Sequence, residues 1–157
     1  MIDYQDIKFW EGRILPDANP QDGPGKPDLG FDVIDPIHQE IINKLIKPND
    51  KVLDAGCGVG RISGWFDNYT GIDFVPEFIY QAHRQHPYKK FVCANFNKVL
   101  PFKDKEFDWV IMISASQYCK TDEIKRVGKK VLILSYGEPR TYEVLCQKFL
   151  KETKNTI

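Results

Sequence analysis

The chain has 157 residues, of which 42% are hydrophobic and 28% charged, a composition that suits one globular domain with one core and excludes two full catalytic domains. Its 22 Lys+Arg balance 22 Asp+Glu and the pI is near 6.8, which excludes the whole-chain basic excess of a phosphate-backbone binder. Nucleic acid is therefore a disfavoured partner. No apolar run reaches the length of a membrane span, and the opening residues Met1 to Asp6 lack the basic and apolar regions of a signal peptide, so a cytoplasmic location is expected.

In chain order, Tyr4 to Leu15 reads as a short helix carrying Phe9 and Trp10. The residues Pro16, Pro20, Gly23, Pro24, Gly25, Pro27 and Gly30 then break regular structure. Residues 1–33 are thus expected to form an arm or lid, and residues 34–157 an α/β core within a single domain. From Pro36, apolar Ile37, Ile41, Ile42, Leu45 and Ile46 recur at helical spacing, ended by Pro48. Then follow a strand over Lys51–Asp54, a helix over Val59–Phe66, a strand over Tyr69–Asp73 and a helix over Pro76–Gln85. Strands over Phe91–Ala94 and Asp108–Ser114, a helix over Lys120–Gly128, a strand over Lys130–Leu134 and a last helix over Thr141–Glu152 complete the series. Short apolar strands alternating with helices predict a Rossmann-like, doubly wound parallel sheet of five strands.

Charge is uneven along this series. Residues 1–50 hold five Lys/Arg against ten Asp/Glu, residues 51–116 eight against seven, and residues 117–157 nine against five. Solvated faces account for most of that gradient. Cys57, Cys93, Cys119 and Cys146 form no CxxC pair, so reduced thiols in or near the core are expected rather than a zinc site or disulfides.

The densest chemical signal is Val52-Leu53-Asp54-Ala55-Gly56-Cys57-Gly58-Val59-Gly60-Arg61, a strand that breaks into glycines. Glycines there permit positive φ and close backbone approach to a ligand, with free amides expected at the turn. The Gly-x-Gly-x-Gly spacing is tighter than the dinucleotide pattern, and Asp54 would repel a pyrophosphate, so a nicotinamide-binding module is the weaker reading. Asp54 suits a ligand with a cationic group. Nineteen residues on, Asp73 ends the second strand, where an acid lies beside the ribose of a nucleoside ligand; capping the helix that follows is its ordinary alternative.

Val52 to Arg61 resembles the cofactor-binding motif of class I S-adenosylmethionine-dependent methyltransferases of the type 11 kind. Gly71-Ile72-Asp73 is similar to their ribose-binding acid, and the Leu100-Pro101-Phe102 and Phe107-Asp108-Trp109-Val110 stretches are similar to their approach to the fourth strand. The resemblance implies S-adenosylmethionine as cofactor, S-adenosylhomocysteine as product, and a sheet order of 3-2-1-4-5. Asp54, Ala55, Gly56 and Cys57 would then face the methionine end, with Gly58 and Gly60 making room for the backbone approach. Asp73 would hold the ribose, Phe74 and Val75 would line the adenine, and Asn95 with the Phe96 amide would meet its edge. Many relatives carry Asp at the position of Asn95, so this contact lacks charge assistance here. Ser114 would lie nearest the methyl group.

No catalytic residue is named by this pattern, because methyl transfer depends chiefly on alignment. Tyr118, Ser114 and His38 are the candidates, each with packing or surface exposure as its ordinary role. The scatter of His38, His83 and His86 argues against a metal site. Ser114-Ala115-Ser116-Gln117-Tyr118 lacks the pattern with which DNA amino-methylating enzymes grip a flipped base, so a small-molecule acceptor is expected. Relative to the family, the final strand hairpin is expected to be missing. An exposed fifth strand would then invite a second copy or a protein partner, and a non-catalytic, partner-dependent subunit is the alternative function.

Overall fold

In the computed structural model, which describes residues 31–115 and 121–134, five apolar segments pair side by side in one parallel sheet. The elements are α1 (Phe31–Leu45), β1 (Val52–Ala55), a 3-10 turn (Ser63–Trp65), β2 (Tyr69–Asp73), α2 (Pro76–Gln85), β3 (Lys90–Cys93), β4 (Phe107–Ile113), α3 (Thr121–Val127) and β5 (Gly128–Leu134). The strand order is β3-β2-β1-β4-β5, as expected. Asp54 pairs in register with Gly71 on one side and Ile111 on the other, and Gly71 with Phe91. The order reverses between β1 and β4, which opens a crevice at the carboxyl ends of the strands.

Alternation along the buried strands produces two cores, one on each face. Val52, Tyr69, Phe91 and Ile111 pack under Ile42 of α1, Ile46 just past its end, and Ile79 and Ala82 of α2. Leu53, Ile72, Val110 and Met112 pack with Phe96, Phe102 and Phe107 against Ile124 and Val127 of α3. Among the described residues no helix is long and apolar enough to cross a membrane, and β3 and β5 are the sheet edges.

Three local readings are corrected. The helix expected from Pro36 begins at Phe31 and contains Pro36, which lies past the first turn and so removes one i→i−4 hydrogen bond from the helix. The helix expected over Val59–Phe66 is instead a run of turns ending in the 3-10 turn Ser63–Trp65. Gly60 at φ +82° cannot sit in a right-handed helix, and the N–H groups of Ser63 and Trp65 donate to Gly60 and Ile62, three residues back. Gly128 opens β5 rather than ending α3. A side chain there would lie 2.5 Å from Val110, so only glycine lets the helix run directly into the strand. Cys57 is a buried free thiol, as expected of a cysteine in or near the core, whereas Cys93 is exposed. Residues 1–30 of the expected arm, the last helix, Tyr118, Cys119 and Cys146 lie outside the described residues, while residues 31–33 open α1.

Candidate active site

The carboxyl ends of β1, β2 and β4 and the turns that follow them hold most of the residues singled out in the sequence. After β1 the chain turns through Gly56, Gly58 and Gly60 at φ +85°, +53° and +82°, a left-handed series that other residues resist. The turn is pinned to β2: the N–H groups of Gly56 and Cys57 both donate to the Ile72 carbonyl, at 2.8 and 2.9 Å, and the Gly58 N–H donates to Asp73 Oδ2 at 3.0 Å. The Gly60 N–H donates to the Cys57 carbonyl. Four of the amides expected to be free at this turn are therefore engaged inside the protein, those of Gly56, Cys57 and Gly58 by β2 and that of Gly60 within the turn itself. Its glycines shape a path for the backbone.

Asp73 closes the other side of the turn. Its second oxygen accepts from the Val75 N–H at 3.0 Å. Burial pushes its carboxyl up to about 6, against the lowering pull of the Val75, Gly58 and Phe74 amides. Each carboxylate oxygen has a further lone pair, so these bonds leave acceptor capacity for ligand hydroxyls. Asp54, one strand over and 3% exposed, accepts from the Tyr69 hydroxyl at 2.7 Å. Burial lifts its carboxyl to about 6, opposed by Tyr69 and Arg61 and reinforced by Asp73. Two buried carboxylates thus stand at neighbouring strand ends.

The remaining expected residues fall around them. Ala55 is fully buried, and the thiol of buried Cys57 is pushed well up by burial and by the two carboxylates. Val75 is enclosed with Val59 and Phe78, leaving Phe74 as the member of that pair with accessible surface. Asn95 accepts the Asn97 N–H on its side-chain oxygen at 2.9 Å, forming an Asx turn that fixes the amide. Buried Phe96 and Ala115 flank Gly56, where an added Cβ would lie 3.7 and 2.7 Å from them. Ser114 adopts φ +53°, and its N–H donates to the Leu134 carbonyl at 2.8 Å. That bend turns Ala115 onto the glycine turn and brings β4 to the same site.

His38 is not placed at these strand ends. It is fully buried on α1, four residues before Ile42 and eight before Ile46 on the stripe that packs on the sheet, rather than on the surface or partly buried as expected. His83 and His86 pack against the Phe91 ring, and among the described residues no cluster of potential metal ligands occurs. Sequence reasoning missed Tyr69. The available signal was its spacing from Gly71, two residues apart on one strand face; the register that sets Gly71 opposite Asp54 is seen only in the fold.

A family model described as a methyltransferase domain matches residues 53–132, just over half of the chain. The chain belongs to the methyltransferase domain family. With the parallel sheet in order 3-2-1-4-5, this methyltransferase domain is of the class I, S-adenosylmethionine-dependent type. It is 37% identical over 97 residues to an uncharacterized protein of Methanocaldococcus jannaschii, a match covering 61% of this chain and 38% of that one. It is 33% identical over 122 residues to 24-methylenesterol C-methyltransferase 3 of Arabidopsis thaliana, covering 69% and 32%. Its fold is similar to the solved structure of a Methanococcus maripaludis protein assigned as an S-adenosylmethionine-dependent methyltransferase. That TM-score is 0.59 at 16% identity, with 82% of this chain and 67% of that one covered. The domain spans roughly a third of the length of these curated relatives.

Proposed function

We propose that this domain binds S-adenosylmethionine at the crevice beside β1 and transfers its methyl group to a small-molecule acceptor. The observation that carries the reading is the pair of buried carboxylates, Asp54 and Asp73, at adjacent strand ends around the left-handed glycine turn. Acceptor groups in that pattern fit a ligand with donors at both ends, an ammonium for Asp54 and ribose hydroxyls for Asp73. A pyrophosphate would meet two negative charges.

When bound, S-adenosylmethionine supplies a methyl carbon activated by the adjoining sulfonium. This chain's residues hold and enclose it: Asp54 orients the amino-acid end and Asp73 the ribose. Phe74 covers one face of the adenine, Asn95 meets its edge with a side chain already held by the Asn97 N–H, and the Phe96 amide lies beside it. Ser114 and Ala115, turned inward by the bend after β4, border the place where an acceptor must approach, and exclusion of water there supports alignment of the displacement.

Calorimetric titration with S-adenosylhomocysteine and with NAD tests the reading. Saturable binding of S-adenosylhomocysteine is expected, and binding of NAD alone overturns it. Release of S-adenosylhomocysteine from S-adenosylmethionine in the presence of small-molecule pools then reports turnover.

A further inference from the structure

We propose that Tyr69 is a positioning residue for the cofactor's ammonium group, acting through Asp54 by way of a gap that Gly71 leaves open in β2. The inference rests on the proposed cofactor reading and adds a residue to it. Tyr69 and Gly71 lie on the same face of β2, and Gly71 pairs in register with Asp54 of β1. The tyrosine side chain runs along the strand over Gly71, so that its hydroxyl reaches Asp54 Oδ2 at 2.7 Å although Tyr69 itself pairs with Val52. A Cβ at position 71 would lie 2.9 Å from the tyrosine oxygen, 2.8 Å from Cys57 Sγ and 2.7 Å from Phe91. The glycine is what makes the reach possible.

The ring is itself fixed from two sides, stacked on Phe66 at a 6.2 Å centroid separation and edge-on to Phe91 at 5.7 Å. The hydroxyl therefore has one address, and the carboxylate it grips is held in one rotamer, leaving the other oxygen for a ligand donor. Among the described residues, Tyr69 and Asp73 of β2 and Cys57 and Arg61 of the glycine turn act on Asp54; its register partner on β4, Ile111, is apolar, and on α1, which packs on this face, the titratable group is buried His38. Of these Tyr69 and Arg61 favour the ionised form. Burial and the neighbouring acid oppose it, so removing the tyrosine hydroxyl shifts Asp54 toward its protonated state.

The test compares wild-type and Tyr69→Phe proteins, titrated calorimetrically with S-adenosylhomocysteine and with 5′-methylthioadenosine across the mildly acidic to neutral range. The second ligand keeps the nucleoside and lacks the amino-acid end, so it reports the integrity of the Asp73 side of the site. Tyr69→Phe is expected to weaken S-adenosylhomocysteine roughly tenfold near neutral pH, to move its pH midpoint upward, and to leave 5′-methylthioadenosine unchanged. In an Asp54→Asn background the same substitution is expected to have no further effect. Equal weakening of both ligands, an unchanged pH midpoint, or an undiminished effect in the Asp54→Asn background overturns the proposal. Failure of the wild-type protein to bind either ligand overturns the cofactor reading itself.

Discussion

Asp54 and Asp73 are each placed where burial makes ionisation unfavourable, and both carboxyls are lifted from 3.8 to about 6. For Asp54 that lift corresponds to at most about 3 kcal/mol of destabilisation at neutral pH. Asp54→Asn retains an oxygen for the Tyr69 hydroxyl and removes the buried charge, so the ligand-free variant is expected to gain about 1–3 kcal/mol by urea unfolding near neutral pH while losing S-adenosylhomocysteine affinity. A variant less stable than wild type would show that the carboxylate has a structural use. Asp73→Ala is expected to weaken S-adenosylhomocysteine by about 2–4 kcal/mol in calorimetry through loss of two charge-assisted bonds. Unchanged affinity would displace the ribose from Asp73. Both acids were legible in the sequence because each ends a strand beside glycines, whereas the hydroxyl that grips Asp54 arrives from the neighbouring strand and depends on register.

Between strands and helices, the glycines divide by what surrounds them. Gly56 has φ +85°, and a side chain there would meet the Ala115 Cβ at 2.7 Å. Gly64, in the 3-10 turn, has open space around it and no left-handed backbone. Gly56→Ala is expected to destabilise by about 2–4 kcal/mol, combining left-handed strain with overpacking. Gly64→Ala is expected to be neutral or to stabilise by up to about 1 kcal/mol through the unfolded chain. Paired urea denaturation curves check both, and equal losses would refute the distinction. A second device ties elements together: Arg126 of α3 donates to Glu123, to Asp104, and to the carbonyls of Leu100 and Phe102. That one side chain staples the β3–β4 connection to the helix preceding β5.

For the molecule as a whole, two sets of carboxylates pull stability in opposite directions with pH. Asp54 and Asp73 take up protons more readily folded than unfolded, so the ligand-free protein becomes more stable as pH falls from above about 6 toward the unfolded value of 3.8. Glu123 is held down to about 2 by Arg126 and the Leu100 N–H, and Glu106 and Asp108 are lowered by lysine partners, Lys51 and Lys129. Their contribution is lost as pH falls below the unfolded carboxylate range. The melting temperature without ligand is therefore expected to pass through a maximum in mildly acid solution, and the stabilisation conferred by S-adenosylhomocysteine to fall over the same acid limb as Asp54 and Asp73 protonate. Thermal melts with and without the ligand across pH read both trends, and a ligand effect that grows as pH falls would contradict the charge assignment.

The sequence by itself determined the alternation of helix and strand, the parallel class of the sheet and the acids at the ends of β1 and β2, since each is written in local apolar spacing, glycines and turn residues. It misread Val59–Phe66 as a helix, because apolar spacing there is compatible with one, whereas Gly60 takes a left-handed backbone with its Cα against the Phe91 ring of β3, a contact made only in the fold. It left His38 on or near the surface, although α1 turns that position inward onto the sheet. The engaged amides of the glycine turn and the reach of Tyr69 over Gly71 to Asp54 were decided only by the tertiary structure. They arise from strand register, which sets residues seventeen apart in the chain side by side and so brings the Tyr69 hydroxyl within reach of Asp54, fifteen residues before it.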